Sequence, residues 1–199
     1  MLEISNLRSA LIGPISLVVG AGECVAIEGM SGAGKSLFVR AIADLDPNEG
    51  SIILNGDPRD KMDADRWRSR VALLPAESGW WSDHVRDHFH DGTRTQALLH
   101  AVGLGQALDW GVDRLSTGER QRLALVRALA RSPEVLLLDE PTAALDSASI
   151  ASVDALLGGE LERGVAMILV THDSDQARRF ARRRYRMADG RLSPVTEPG

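Results

Sequence analysis

An octapeptide near the start of the chain constrains its fold more than any other feature. Residues 29–36 read GMSGAGKS and fit the pattern G-x-x-x-x-G-K-[ST] at every fixed position. Apolar residues 24–27 before it predict a buried strand, and apolar side chains at helical spacing after it predict a helix. Glycines let such a loop wrap closely around phosphate oxygens, toward which its backbone N–H groups point. The matching strand and helix favour a phosphate-binding loop over a chance glycine-rich turn.

Composition narrows the class of protein. The chain has 199 residues with ordinary hydrophobic content, enough for one domain with a full core. Its net charge of −5 argues against bulk binding of nucleic acid. Cys24 is the single cysteine, which excludes a disulfide framework within the chain and fits a reducing compartment. We see no signal peptide and no apolar run long enough to span a membrane, so any membrane role is expected at the surface.

Strands and helices alternate along most of the chain, which predicts an α/β fold. A mostly parallel sheet should carry helices on both faces, with a small antiparallel sheet formed by the N-terminal strands beside the glycine loop. Residues 77–115 differ in character and predict a small helical lobe inserted into the main sheet. The predicted strands are 2–7, 15–19, 24–27, 50–54, 71–74, 135–139 and 166–171, followed by a closing hairpin over 187–192.

Capping patterns predict where several helices begin and end. Asp63 is expected to cap a helix over 64–70, and residues 93–96 (TRTQ) fit a capping box whose helix Gly103 closes. Residues 116–119 (STGE) fit a second capping box, with a helix that ends before residue 132. A basic helix is predicted over 174–183.

An acidic strand end is the second strong signal. The apolar run 135–138 delivers Asp139 and Glu140 to the carboxyl edge of the sheet, where open α/β sheets bind ligands. We expect Lys35 to reach the β- and γ-phosphates of a nucleotide, and the Ser36 hydroxyl and Asp139 to hold Mg²⁺. Glu140 is then the expected general base. An ordinary pair of acids at a strand end is the alternative, and the glycine loop upstream makes it less attractive.

Residues 115–122 (LSTGERQR) form the third signal. A serine and a glycine at a helix N-terminus offer a hydroxyl and free N–H groups to an anion, although a plain helix cap explains them equally well.

The order of these motifs resembles that of ATP-binding-cassette (ABC) ATPases, the nucleotide-binding subunits of ABC transporters. The glycine loop, the signature at 115–121 and the acidic strand at 135–140 follow in the family's order. Residues 144–146 resemble its D-loop and 171–173 its switch histidine. The resemblance covers nearly the whole chain and implies a P-loop NTPase fold of ABC type in a single domain, 1–199. Its core would comprise residues 1–76 and 131–199, with a helical subdomain at 77–130.

The resemblance also implies a mechanism. Two subunits, identical or paired, would stack head to tail around two ATP molecules with Mg²⁺, so that each ATP touches one subunit's loop and the other's signature. The partner would be a transmembrane permease subunit, with no role for nucleic acid, and the chain would lie in the cytoplasm against the inner face of the membrane. The implied residues are Glu140 and His172 for catalysis, Ser36 and Asp139 for the metal, Asp146 at the dimer interface, and, for the nucleotide, Gly29, Met30, Ser31, Gly32, Ala33, Gly34, Lys35, Ser36, Ser116, Gly118 and Glu119.

The chain departs from the family's pattern at three places. Ala76, followed by Glu77, stands where a glutamine is usual. Thr117 replaces a signature glycine, and Glu119 stands where glutamine is common. No aromatic residue is available to stack on adenine, so Leu11, Ile12 or Arg8 is expected to pack on the base. These departures keep two alternatives open, a non-transport ABC ATPase and a nucleotide-sensing module with little turnover.

Three further features have open interpretations. Trp80 and Trp81 lie where the family receives a coupling helix from the membrane subunit, but burial in the lobe explains them equally well. His84 and His88 have metal-pair spacing, but without a third ligand we favour an ordinary packing role. The basic cluster is expected to be a solvated face, with contact to anionic lipid as the alternative; it comprises Arg178, Arg179, Arg182, Arg183, Arg184 and Arg186.

Overall fold

The computed structural model describes residues 1–89 and 92–195, which form ten strands and six α-helices with three short 3₁₀ turns. The strands are β1 (Leu2–Ser9), β2 (Ile12–Val19), β3 (Cys24–Glu28), β4 (Glu49–Leu54), β5 (Asp57–Pro58), β6 (Val71–Leu74), β7 (Val135–Asp139), β8 (Ala166–Val170), β9 (Arg183–Ala188) and β10 (Arg191–Pro194). The helices are α1 (Lys35–Ile42), α2 (Ala64–Arg70), α3 (Thr93–Ala101), α4 (Thr117–Ala130), α5 (Ser147–Glu162) and α6 (Ser174–Phe180).

A six-stranded sheet in the order β10-β9-β3-β8-β7-β6 forms the centre of the molecule. Strands β9, β3, β8, β7 and β6 run parallel, and β10 adds an antiparallel edge. Strands β7 and β8 are buried along their whole length, as expected for a sheet covered on both faces. The carboxyl ends of β3, β7 and β8 therefore lie side by side, where the sequence places its loop and its acids.

Alternate residues of these strands enter two different cores. Val25, Ile27 and Leu137 pack with α1 and the second sheet, which is antiparallel in the order β2-β1-β4-β5. Leu136 and Leu138 point the other way, into a core with α4 and the small lobe. The two cores follow from the period-two alternation of side chains along a strand. The predicted α/β class, with a small antiparallel sheet and a short helical lobe, is confirmed.

The elements between β6 and β7 form the lobe. Helix α3 is fixed to the rest of the chain by Arg94, whose guanidinium donates to the Leu129 carbonyl at 3.1 Å and to both oxygens of Glu160 at 3.0 and 3.1 Å. Glu160 is almost fully buried on α5. The predicted boundaries of the lobe at residues 77 and 130 stay a prediction.

Three local predictions need correction. Thr93 is the first residue of α3 rather than its cap; Gly92 holds the cap position and no side chain caps the helix. Asp63 holds the cap position of α2, but its side chain makes no capping hydrogen bond. The basic helix stops at Phe180, because Arg183 already pairs with Val25 as the start of β9, and the gain from extending the sheet outweighs another helical turn.

Candidate functional site

The glycine loop joins the end of β3 to the start of α1. Gly34 precedes the helix with a φ of 102°, in the left-handed region that favours glycine, and a Cβ there would lie 2.6 Å from Ile12 Cγ2. A Cβ on Gly29 would lie 2.4 Å from the Met187 carbonyl oxygen. The Lys35 ammonium donates to the carbonyls of Gly29 at 2.8 Å and Met30 at 3.0 Å, so it lies over the loop it closes.

The turn between β9 and β10 supports this loop. The sequence did not predict this contact. Gly190 donates its N–H to the Ala33 carbonyl at 3.3 Å and accepts the Gly13 N–H at 2.8 Å. The sequence showed Gly190 only as part of a closing hairpin, because its contacts with residues 13 and 33 are distant along the chain.

Asp139 lies beside the loop at the end of β7, with only 5% of its surface exposed. Burial and the neighbouring Glu140 charge raise the pKa of Asp139, against a hydrogen bond from the Ser36 hydroxyl and the charge of Lys35. A hydroxyl and a carboxylate are oxygen donors of the kind Mg²⁺ prefers, so the pair fits the predicted metal. Among the described residues no group of three or more His, Cys, Asp or Glu is placed to hold a metal.

Glu140 and His172 meet at the ends of the neighbouring strands β7 and β8. Glu140 Oε2 lies 2.7 Å from Nδ1 of His172 and accepts the His172 backbone N–H at 3.4 Å. Glu140 adopts a φ of 51°, which is uncommon for a residue other than glycine, and its N–H donates to the Val170 carbonyl at 2.9 Å. The strained turn directs the carboxylate away from the sheet and toward the histidine.

A cleft of about 570 Å³ brings most of the predicted residues together. Leu11, 74% exposed, forms part of its wall, whereas Ile12 is buried in the core beneath Gly34. Ala76 also lines the cleft; Glu77 is exposed and is not among the lining residues. The other lining residues are Gly29, Ser31, Gly32, Gly34, Lys35, Ser36, Leu37, Asp139, Glu140 and His172.

The signature residues are not among those that line this cleft. Ser116 caps α4 in the predicted capping box: its hydroxyl accepts the Glu119 N–H at 3.3 Å, and Glu119 Oε2 accepts the Ser116 N–H at 2.8 Å. Gly118 packs against the D-loop, since a Cβ there would lie 3.1 Å from the Ala144 carbonyl oxygen. Asp146 caps α5 by accepting the Ser149 N–H at 2.8 Å. In one copy of the chain, the two stretches predicted to bind anions therefore do not share this cleft.

The family model for ABC transporters matches residues 12–143, which is more than half of the chain. This chain belongs to the ABC transporter family. The match confirms both the predicted resemblance and its interpretation as an ATP-powered transporter subunit.

Solved structures with the same fold include other cassettes of the family. An ATP-binding subunit of an ABC transporter has 24% identity and a TM-score of 0.88, covering 98% of this chain and 90% of its own. A bacterial Atm1-family ABC exporter with ATP bound has 24% identity and a TM-score of 0.86, over 96% of this chain and 38% of that one. A bacterial ABC transporter cassette in a dimeric structure has 24% identity and a TM-score of 0.80, with both chains fully covered. At this identity the similarity shows the fold.

A groove of about 480 Å³ lies between the lobe and the core of this cassette. Its floor is apolar and includes Val71–Leu74. No acidic side chain among the described residues lines the groove. Its basic lining residues are Arg68, Arg94, Arg127, Arg131 and His88.

Trp80 and Trp81 have different environments at this groove. Trp81 is 70% exposed and lines the groove, whereas Trp80 is partly buried. The His88 ring packs edge-on against both indoles, and the Arg127 guanidinium lies over both at 4.9 and 4.8 Å. Burial lowers the pKa of Arg127. Trp80 thus has the partial burial expected for packing in the lobe, and Trp81 has the exposure that a docking surface would require. Docking itself stays a prediction.

The two histidines with metal-pair spacing have separate packing roles. His88 is buried against the tryptophans, and its Nε2 lies 3.2 Å from the Ser82 carbonyl oxygen. His84 pairs through its backbone with Gly111. Most of the basic cluster forms ion pairs: Arg178 with Asp175, Arg179 with Asp154, Arg183 with Glu23 and Arg184 with Glu28. Within the described residues the cassette has no helix long and apolar enough to cross a membrane.

Proposed function

We propose that this cassette hydrolyses ATP between two copies, or between one copy and a paired subunit, and that hydrolysis drives a membrane transporter. The observation that carries the proposal is the convergence of Lys35, Ser36, Asp139, Glu140 and His172 on one cleft beneath a glycine loop. Phosphoryl transfer needs positioning and charge neutralisation more than covalent help from the protein, and this set of residues supplies both.

Backbone N–H groups of residues 29–36 and the N-terminus of α1 hold the phosphates, and the Lys35 ammonium moves from the loop carbonyls to the β- and γ-phosphates. Ser36 and Asp139 would hold Mg²⁺, which when bound would supply positive charge to offset the charge that develops on the phosphate oxygens. Leu11 is the residue of the cleft wall that packs on the adenine.

Glu140 takes a proton from the attacking water as the general base. His172, held 2.7 Å from Glu140, orients that carboxylate and contacts the γ-phosphate. The carboxylates of Asp139 and Glu140 repel one another, and a cation held by Ser36 and Asp139 would reduce that repulsion.

The separation between cleft and signature supports a head-to-tail dimer. Ser116, Gly118 and Glu119 border the nucleotide held by the partner's loop, and Asp146 lies at the same interface. Two helix N-termini then face one polyanion, so ATP joins the copies and loss of its terminal phosphate separates them.

The groove beside the lobe is our candidate for docking the transmembrane permease subunit, which would place the cassette on the cytoplasmic face of the membrane. An apolar lining with Trp81 exposed at its edge suits the apolar face of an amphipathic segment. Arg68 and Arg94 are already ion-paired with Asp65 and Glu160, so Arg127 and Arg131 are the arginines of the groove proposed to meet an acidic side chain of that segment. The net charge of −5 gives no support to a nucleic-acid partner.

Ala76 favours a second candidate function, a nucleotide-sensing cassette with little turnover, because a methyl group lines the cleft where the family's glutamine would ligate the metal. Phosphate release with ATP and Mg²⁺, measured with and without a chelator, separates the two. Chelator-sensitive turnover that rises faster than linearly with protein concentration supports the proposal. ATP binding with no phosphate release supports the sensing module.

A further inference from the structure

The Ser116 hydroxyl is committed within its own chain. It donates to Glu119 Oε2 at 2.8 Å, and the Ser116 backbone N–H donates to the same oxygen at 2.8 Å. A hydroxyl has one proton to donate, so the Ser116 proton is held by Glu119 and is not available to a phosphate oxygen. Before Ser116 can donate to an anion, this hydrogen bond must break.

The surrounding contacts hold the signature in place. Arg122 donates to the Gly118 carbonyl at 3.4 Å and to the Val102 carbonyl at 2.8 Å, and Gly118 rests against Ala144. Ser116 and Thr117 are exposed at the start of α4. The Ser116 hydroxyl can therefore change its hydrogen-bond acceptor by a local rotation, without movement of the helix.

Glu119 also brings a negative charge to this surface. Two hydrogen bonds from Ser116 lower the pKa of Glu119, so the carboxylate is ionised near neutral pH. Arg122 and Arg114 offset part of this charge at a distance, but neither is hydrogen-bonded to the carboxylate in the contacts described: Arg122 donates to two carbonyls, and Arg114 lies over the Trp110 ring at 4.0 Å. A triphosphate that approaches Ser116 meets a hydroxyl already bonded to Glu119 and a carboxylate charge that these arginines offset only in part.

We propose that Glu119 latches Ser116 and so raises the ATP concentration at which two cassettes close. The latch rests on the proposed function, in which the signature meets the partner's ATP. Glu119 is a positioning residue that acts through Ser116. On closure the Ser116 hydroxyl keeps its proton and redirects its hydrogen bond from Glu119 to a phosphate oxygen, while Glu119 keeps the hydrogen bond from the Ser116 backbone.

The test is Glu119→Gln in a Glu140→Gln background, where bound ATP is not consumed. Glutamine can still accept the Ser116 N–H, so α4 stays capped, but its uncharged amide oxygen holds the Ser116 hydroxyl less strongly than the carboxylate does. We expect the ATP concentration for half-maximal dimerisation, measured by sedimentation with Mg²⁺, to fall about three- to tenfold. Glu162→Gln removes the same charge from an exposed residue at the end of α5 and should leave that concentration unchanged.

A double-mutant cycle separates the latch from simple repulsion. In a Ser116→Ala background the benefit of Glu119→Gln should shrink, because no hydroxyl remains to be released. An unchanged benefit, or no benefit in either background, overturns the latch while leaving the ATP-joined dimer standing. Absence of any ATP-dependent dimer in Glu140→Gln alone overturns the dimer and the latch together.

Discussion

Glu140 Oε2 and His172 Nδ1, 32 residues apart in sequence, lie 2.7 Å from each other across the ends of two adjacent parallel strands. The pairing of Asp139 with Val170 at the ends of β7 and β8 fixes the approach, because Glu140 follows β7 directly and His172 lies two residues after β8. The sheet register itself thus positions the proposed base and its proposed orienting partner.

This relationship makes Glu140→Gln the most informative variant. We expect phosphate release to fall about 10²–10⁴-fold, because the amide cannot accept the proton of water, while ATP affinity stays near that of the parent. His172→Ala should lower turnover but leave part of it. Normal turnover in Glu140→Gln would show that another group is the base.

Lys35 offers a test with a matched control, because the chain contains only one other lysine. Lys35→Ala should weaken ATP binding about 100-fold through loss of charge-assisted hydrogen bonds to phosphate. Lys61→Ala, an exposed lysine in a 3₁₀ turn, should bind ATP normally. Equal ATP affinity of the two variants in calorimetry would contradict the assignment of the loop.

Trp81 tests the docking groove. If a permease segment covers its exposed indole, Trp81→Ala should weaken retention of the cassette by its membrane subunit by about 30-fold, the scale of an aromatic hot spot. Phosphate release by the isolated cassette should not change. Val18→Ala, an exposed apolar residue on β2, is the control. Equal co-purification of both variants from solubilised membranes would argue against this groove as the docking site.

Arg94 links the lobe to the core, and its loss should be costly. Arg94→Ala leaves the buried Glu160 with only the longer 3.3 Å contact to Arg163, so we expect a loss of about 2–4 kcal/mol in unfolding free energy. Urea unfolding measures this directly. Arg131→Ala, an exposed arginine after α4, should cost far less, and equal losses would mean that the Arg94 pair contributes little.

Glu134 predicts a pH-dependent contribution to stability. Hydrogen bonds from Arg70 hold the pKa of Glu134 below its ordinary 4.5, and the side chain is 39% exposed, so screening limits the contribution to about 1 kcal/mol or less. The contribution is complete above the unfolded pKa and is lost as pH falls through the folded one. The difference in unfolding free energy between the parent and Glu134→Gln should therefore stay constant near neutral pH and shrink toward zero below pH 4.5. A gap that persists in acid would contradict this cause.

Elements whose apolar pattern and local caps agree were predicted well. Val71–Leu74 and Val135–Asp139 lie where their apolar runs indicated, and Ser116 caps α4 as its neighbours at short range suggested. Predictions failed where a distant partner decided the outcome. Residues after Phe180 carry a helix-compatible sequence, but pairing of Arg183 with Val25 draws them into the sheet.

The residues of the candidate site could be named from their motifs alone, because a glycine loop and an acidic strand end carry their chemistry in short stretches of chain. Their arrangement required the folded sheet. The parallel register brings Glu140 against His172, and the turn at Gly190 packs against the glycine loop. The fold also leaves the signature residues outside the lining of the cleft. Local sequence encodes hydrogen-bonding groups and backbone freedom, whereas proximity between distant segments arises from burying the two cores on opposite faces of one sheet.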